Sequence, residues 1–257
     1  MIVFKNMDFV IPCHPKDFCS LQLSVDGIRN NIAVCDKIFV ISEKDPKIFG
    51  TTHIPEENYS KYITKEKIHT IWENKNPNLS YRSNWLYQQF LKLFSVKVIH
   101  NLSESFVLVD SDTIFLKDIS FDEKKFYYCI AEEYHTPYLP PTKLLLDVED
   151  TIGFSCISHH MIFNKKKINQ LLEYIENRFD GKSFADCILD IVDYNEASCF
   201  SEWDLYANYM LIKYPEMCNQ RQLIWKDIDF IPSNFDLDNF KIDYDFVSCH
   251  AYRRNIK

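Results

Sequence analysis

The stretch SFVLVDSDTIFL, residues 105–116, ends an apolar run in two carboxylates one residue apart and then resumes an apolar run at once. Side chains at i and i+2 of a strand share a face, so a strand reaching this far points Asp110 and Asp112 the same way. A bend at Ser111 still leaves both at the strand's C-terminal end, the edge at which open α/β sheets bind ligands. Two carboxylates beside a dry core repel and resist joint ionisation. A cation, basic side chains or protonation of one acid relieves that cost. Mg²⁺ or Mn²⁺ suits the pair, because both ions take oxygen ligands and share their shells with phosphates. The plainer alternative is a solvated turn, with Asp110 ending the strand and Asp112 capping the loop. The apolar segments on both sides favour a metal-diphosphate role.

Elements that could position such a pair are readable along the chain. DFVIPCHPKD (8–17) reads as a buried strand stopped by Pro12, SLQLSVDGIRNNI (20–32) as a helix with Leu21, Val25, Ile28 and Ile32 inward, and KIFVIS as a second strand. This β-α-β opening predicts a parallel sheet covered by helices. Residues 43–80 read as loops broken by Pro46, Pro55 and Pro77, with KIHTIW as a short strand. YRSNWLYQQFLKLFSVKVI (81–99) is an amphipathic helix with Leu86, Phe90, Leu93 and Phe94 inward. FYYCIAE and SCISHHMIFN read as strands, and KKINQLLEYIENRF as a helix. SEWDLYANYMLIKY (201–214) is a helix capped by Ser201, and the short strands DFIP and DFVSCHAY follow. No repeat or linker interrupts the chain, which predicts one α/β domain with a mixed, mostly parallel sheet flanked by helices.

The bulk composition narrows the function classes. The chain has 257 residues, enough for a sizeable core, and a net charge of −8, which argues against a surface built for nucleic-acid phosphates. Nine cysteines with no C-x-x-C pair predict reduced thiols in a cytoplasmic setting. No signal peptide and no apolar run near ~20 residues is present, so no transmembrane segment is expected. Four dispersed glycines exclude a Walker loop and a G-x-G-x-x-G cradle.

The segment FVLVDSDTIFLKDI resembles the D-x-D segment of GT-A-fold glycosyltransferases, which handle nucleotide-sugars through a divalent metal. DFVIPCHPKD is similar to their first strand and nucleotide-binding loop, and WLYQQFLKL to the helix before the D-x-D strand. SHHMIFNKKKINQLLEYIE resembles the acceptor-side strand and helix, and SEWDLYANYM the segment carrying an acidic residue near the sugar. In this order the pieces resemble a group of small, mainly bacterial GT-A proteins over nearly the whole chain. The resemblance implies a GT-A, Rossmann-like domain with a nucleotide-binding half (1–118) and an acceptor-binding half (119–257).

It further implies a uridine-diphosphate sugar donor, Mn²⁺ or Mg²⁺, and a glycan acceptor of capsule or lipopolysaccharide type. Synthesis would then occur in the cytoplasm, with peripheral contact at the inner face of the membrane where the acceptor is lipid-linked. Asp112 maps to the closer metal ligand and Asp110 to a ribose or water-mediated contact. His250, ending DFVSCH, maps to a further ligand, for which imidazole is suited; a solvated terminal histidine is the ordinary alternative. Arg253 and Arg254 would fork onto diphosphate oxygens, unless they belong to a basic tail. Pro12 and Pro15 would stiffen a loop presenting His14, Lys16 and Asp17 to the nucleotide, with Ser111 beside the D-x-D acids. Arg82 and Gln89, seven apart, would share a helix face turned to the nucleotide or sugar.

An inverting transferase needs a base at the acceptor hydroxyl; Glu202 is the first candidate and Asp204 the second. Both are equally at home as first-turn acids beside a helix dipole, which lowers rather than raises a carboxyl pKa. A retaining enzyme would not use Glu202 as base, and the residues leave the stereochemistry open. His159 and His160 alternate along a strand, one toward the sugar or acceptor and one toward the core. Two other function classes compete. A haloacid-dehalogenase-type phosphatase would use Asp110 as nucleophile and Asp112 as acid/base, but the motif lies about a hundred residues into the chain and lacks a clear downstream lysine and acidic pair. A non-catalytic glycan-binding module on the same scaffold would show no nucleotide-sugar hydrolysis.

Overall fold

A computed structural model of the protein describes residues 6–254. In chain order it forms β1 (Met7–Pro12), α1 (Phe18–Asn31), β2 (Cys35–Ser42), β3 (Thr51–Pro55), α2 (Lys65–Lys75) and α3 (Ser83–Val98). There follow β4 (Ser105–Val109), β5 (Thr113–Phe115), β6 (Phe126–Tyr128), α4 (Leu139–Leu146), β7 (His160–Asn164), α5 (Lys165–Arg178) and α6 (Phe184–Ile191). The chain continues through α7 (Glu202–Lys213), β8 (Cys218–Gln220), β9 (Trp225–Asp227), α8 (Asn234–Asp243) and β10 (Phe246–Ser248).

The main sheet has the order β3-β2-β1-β4-β7. β3, β2, β1 and β4 run parallel, and β7 runs antiparallel to β4. Every residue of β1 and β4 is buried, as expected for central parallel strands covered on both faces. The mostly parallel mixed sheet flanked by helices is compatible with a Rossmann-like fold. A smaller sheet, β5-β10-β9, pairs β10 antiparallel to β5 and parallel to β9. Strands from beyond residue 119 thus complete both sheets, since β7 pairs with β4 and β10 with β5.

Two consequences matter for the site. The C-terminal ends of β1, β4, β9 and β10 and the N-terminal end of β7 meet on one rim. The other is α3, whose residues are all buried from Gln89 to Val96, Lys92 among them. A lysine in the middle of a buried helix must find anionic partners.

Several element assignments differ from the sequence reading. KIHTIW lies inside α2, because Thr64 caps the helix and Ile68 and Trp72, four apart, bury one face. β3 occupies a stretch read as loop. The strand in SCISHHMIFN begins only at His160, because the backbone at His159 turns into the left-handed region with φ 59°. DFIP is not a strand; the pairing segment is β9, just upstream.

Candidate functional site

β4 ends at Val109 and β5 begins at Thr113, so the D-x-D is a turn between strands of two sheets. The Thr113 amide donates to the Asp110 carbonyl (3.0 Å), closing it. Backbone bonds then fix the turn from two sides. The Asp110 amide donates to the carbonyl of His159 (2.9 Å), and the Cys249 amide to the carbonyl of Asp112 (3.0 Å). These bonds bring the residues preceding β7 and following β10 against the two aspartates.

The side chains form a continuous network. Asp112 Oδ2 lies 2.9 Å from His250 Nδ1, and Asp110 Oδ2 lies 3.6 Å from His159 Nδ1. Nε2 of both histidines lies 3.5 Å from Asp227 Oδ1, at the end of β9. The other Asp227 oxygen lies 3.0 Å from Arg253 Nη2. The two imidazole centroids are 4.7 Å apart, and the Tyr252 ring stacks on His250. On the protein side, Lys92 Nζ lies 2.6 Å from Asp110 Oδ1 and 2.5 Å from Glu202 Oε1, over the Trp203 ring.

Electrostatics follow from this geometry. Burial alone would lower the His250 pKa, but its bonds to Asp112 and Asp227 outweigh burial and raise it to about 11. Burial opposes charge on His159 too, yet Asp110 and Asp227 raise its pKa. Burial would raise Asp110; Lys92 and His159 overcome this and hold it below the usual carboxylate range. Burial would neutralise Lys92, and its two carboxylate partners keep it charged. Glu202 is different: enclosure raises its pKa, Lys92 opposes the rise and Asp110 adds to it.

Among the described residues, one ligand atom from each of His159, Asp227 and His250 lies within 4.8 Å of the others. Bonds near 2.1 Å let trans ligand atoms lie about 4.2 Å apart, so small side-chain rotations would close this set on one ion. Oδ1 of Asp112 is buried with no hydrogen-bond partner, and Oδ1 of Asp227 faces only the two Nε2 atoms at 3.5 Å, a costly arrangement that a cation held beside these acids would offset. The donor set fits a divalent ion.

Other residues expected at the site are placed differently. Glu202 is fully buried, with one oxygen held by Lys92, so it does not open onto an acceptor. Asp204 is buried as well, accepting from the Cys156 amide (3.4 Å) and the Ser155 hydroxyl (3.5 Å). Ser201 caps α7 as expected, and the first turn of α7 packs inward rather than toward a cleft. Gln89 is buried and donates to the Trp85 carbonyl. Arg82 lies in a 3-10 turn before α3, so helical spacing does not relate it to Gln89; it donates to the Ala197 carbonyl and the Ser198 hydroxyl.

Pro12 ends β1, and its carbonyl accepts from Gln88. His14 accepts the Lys16 amide through Nδ1, capping a 3-10 turn over Pro15–Asp17, and both His14 and Lys16 are exposed beside this rim. Asp17 instead turns inward to Arg254, 2.6 Å away, which takes that arginine out of reach of a diphosphate. Ser111 is buried near the Cys13 thiol. His159 faces the ionisable cluster. His160 packs against Phe115, Phe121 and Phe246 in the core, where burial pushes its pKa down to about 3.

The sequence reading missed Lys92 and Asp227. Lys92 was legible as a lone cation inside FLKLF, in a helix whose neighbours are all apolar. Asp227 ends a three-residue strand adjacent to the segment chosen instead.

The family comparison covers most of this framework. The chain belongs to DUF6492, a family of unknown function. The family model matches residues 5–226, which takes in Lys92, both D-x-D aspartates, His159 and Glu202 of this DUF6492 chain. No curated protein matches the chain. Among the described residues, no helix is long and apolar enough to cross a membrane.

Proposed function

We propose that the chain is a divalent-metal-dependent glycosyltransferase of the GT-A type. It moves a sugar from a nucleotide-diphosphate donor, uridine-based on the resemblance of its motifs, to a glycan acceptor. The observation that carries this reading is the convergence of Asp110, Asp112, His159, Asp227, His250 and Arg253 on one rim of a mostly parallel sheet. Ligands of open α/β sheets bind outside the C-terminal strand ends, and the donor atoms here suit a cation that would share its shell with a diphosphate. The mixed sheet, parallel except for β7 reversed beside β4, is of the mostly parallel kind that this reading calls for.

Glycosyl transfer leaves negative charge on the departing diphosphate, and a bound divalent ion offsets it. The chain's own contributions are simpler. Arg253, partly exposed on the rim, offers a guanidinium fork to phosphate oxygens. His14 and Lys16 lie on the exposed turn after β1, within the same rim. Lys92, itself held by Glu202, keeps Asp110 ionised and oriented from beneath. Glu202, being enclosed, supports this role rather than that of acceptor base.

A surface-polysaccharide or lipopolysaccharide acceptor, used at the inner face of the membrane, belongs to the same reading. The phosphatase alternative needs a free nucleophile at Asp110, whereas its two oxygens face Lys92 and His159. The test is a thermal-shift panel of UDP, GDP, CMP and their sugars, with and without Mn²⁺. A ligand that binds only the native state raises the melting temperature by mass action. A metal-dependent shift with UDP is expected, sharply reduced in Asp112→Ala. A folded Asp112→Ala protein keeping the full shift would remove the assigned role.

A further inference from the structure

Both imidazoles at the rim are held in the same way. Each has its Nδ1 facing one D-x-D carboxylate, Asp110 for His159 and Asp112 for His250, at 3.6 and 2.9 Å. Each turns its Nε2 to one oxygen of Asp227, at 3.5 Å in both cases. Arg253 occupies the other Asp227 oxygen, so the carboxylate is pinned with Oδ1 toward the histidines. A histidine that binds a metal through one ring nitrogen commonly gives the other to a carboxylate, which fixes the ring and raises its basicity. Two such pairs here point at one place.

We propose that Nε2 of His159, Nε2 of His250 and Oδ1 of Asp227 hold the divalent ion, and that the D-x-D aspartates orient the two imidazoles instead of ligating it directly. This departs from the assignment implied by the D-x-D resemblance, in which Asp112 is a direct ligand and His250 the one imidazole. It rests on the divalent-ion part of the proposed function and not on sugar transfer.

The surrounding structure supports the division of roles. Asp110 cannot swing to an ion without leaving Lys92, whose Nζ lies 2.6 Å from it inside a buried helix. Lys92 is in turn fixed by Glu202. Glu202, Lys92 and Asp110 therefore form a chain of positioning residues ending at His159. The left-handed backbone of His159 fits this arrangement. It is an uncommon conformation for a residue other than glycine, and such outliers cluster at ligand sites. The turn aims His159 at the rim while the next residue, His160, enters the core.

The test uses the full chain and metal alone, without nucleotide. Co²⁺ binding is followed by calorimetry and by its visible absorption, and the nitrogen couplings of bound Mn²⁺ by pulsed electron paramagnetic resonance. Two coordinated imidazoles are expected in the wild type and one in His159→Gln. His159→Gln and Asp227→Asn should weaken Co²⁺ uptake more than a hundredfold, whereas Asp110→Asn and Asp112→Asn should weaken it by roughly 10–100-fold, as loss of an orienting carboxylate does.

A wild type showing a single imidazole nitrogen would overturn the assignment without any variant being made. So would Asp112→Asn abolishing uptake while folded His159→Gln and Asp227→Asn remain within threefold of wild type, or an absence of Co²⁺ and Mn²⁺ uptake altogether. Two coupled nitrogens with no UDP-dependent shift and no donor turnover would uphold this assignment while removing the glycosyltransferase reading. A UDP-dependent shift with one nitrogen would do the reverse.

Discussion

Lys92 Nζ lies 2.5 Å from Glu202 Oε1, and both side chains are almost wholly buried between α3 and α7. The same ammonium holds Asp110 on the sheet rim, so one cation in the middle of an apolar helix ties α7 to the D-x-D turn. Removing one partner of a buried ion pair leaves an uncompensated charge and costs about 3–5 kcal/mol, whereas removing both is far milder. Lys92→Met should therefore destabilise the protein by that amount in urea unfolding. The double variant Lys92→Met/Glu202→Gln should recover at least half of the loss. Equal stability of the single and double variants would show that Glu202 is already neutral and indifferent to its partner.

Asp204 allows a pH prediction remote from the rim. Burial raises its carboxyl pKa from 3.8 to about 7, the Cys156 amide opposing and Glu202 adding to the rise. The native state then holds a proton between these values that the unfolded chain releases, so stability is fullest below pH 3.8 for this group and falls as pH rises toward 7. The loss should be about 2–4 kcal/mol, the upper end being three pKa units. Asp204→Asn keeps an oxygen for the Cys156 amide and removes the titration. It should gain on the wild type between pH 5 and pH 8 when urea midpoints are compared. A gain that is the same at both pH values would mean that Asp204 is ionised throughout.

Gly27 sets two effects against each other. Glycine inside α1 costs up to about 1 kcal/mol relative to alanine. A Cβ there would lie 2.9 Å from both the backbone nitrogen and the backbone oxygen of Phe115 in β5, which forces strand and helix apart. Overpacking of this kind costs about 1–3 kcal/mol, and a backbone neighbour cannot move aside as a side chain can. Gly27→Ala should therefore be net destabilising in spite of better helix propensity. Because β5 leaves directly from the D-x-D turn, metal affinity should weaken as well. A stabilised variant in thermal unfolding would mean that the helix can lift from β5 freely.

How far the sequence carried this framework depends on whether its signals were local. β1, α1, β2, α3 and β4 were legible because apolar runs and helical spacing are themselves local, and the D-x-D acids stood out against them. Only His159 and His160 were marked as a divergent pair, and the split holds: one joins the rim and the other is buried among phenylalanines. The inward turn of Asp17 was hidden because its partner, Arg254, is 237 residues away. Asp227 was hidden for a related reason. Its short strand has no periodicity of its own and is defined by pairing with β10. Glu202 was found, but its helix-start context could not reveal that Lys92, 110 residues earlier, encloses it.

The choice of ion is the last consequence of this geometry. From oxygen ligands alone, Mg²⁺ and Mn²⁺ are equally reasonable. The rim instead presents the imidazoles of His159 and His250 with the carboxylate of Asp227. Imidazole nitrogen favours the later first-row ions, and affinity at a mixed nitrogen–oxygen site rises from Mn²⁺ through Co²⁺, while Mg²⁺ keeps to oxygen and gives up water reluctantly. At equal millimolar concentration and without nucleotide, MnCl₂ should raise the melting temperature by several degrees and CoCl₂ by more, with MgCl₂ near zero. An ion present at a hundred times its Kd stabilises the native state by about 2.7 kcal/mol, which thermal unfolding resolves readily. Equal shifts with MgCl₂ and MnCl₂, preserved in His159→Gln, would mean that carboxylates alone take the ion and that both histidines serve only as their counter-charges.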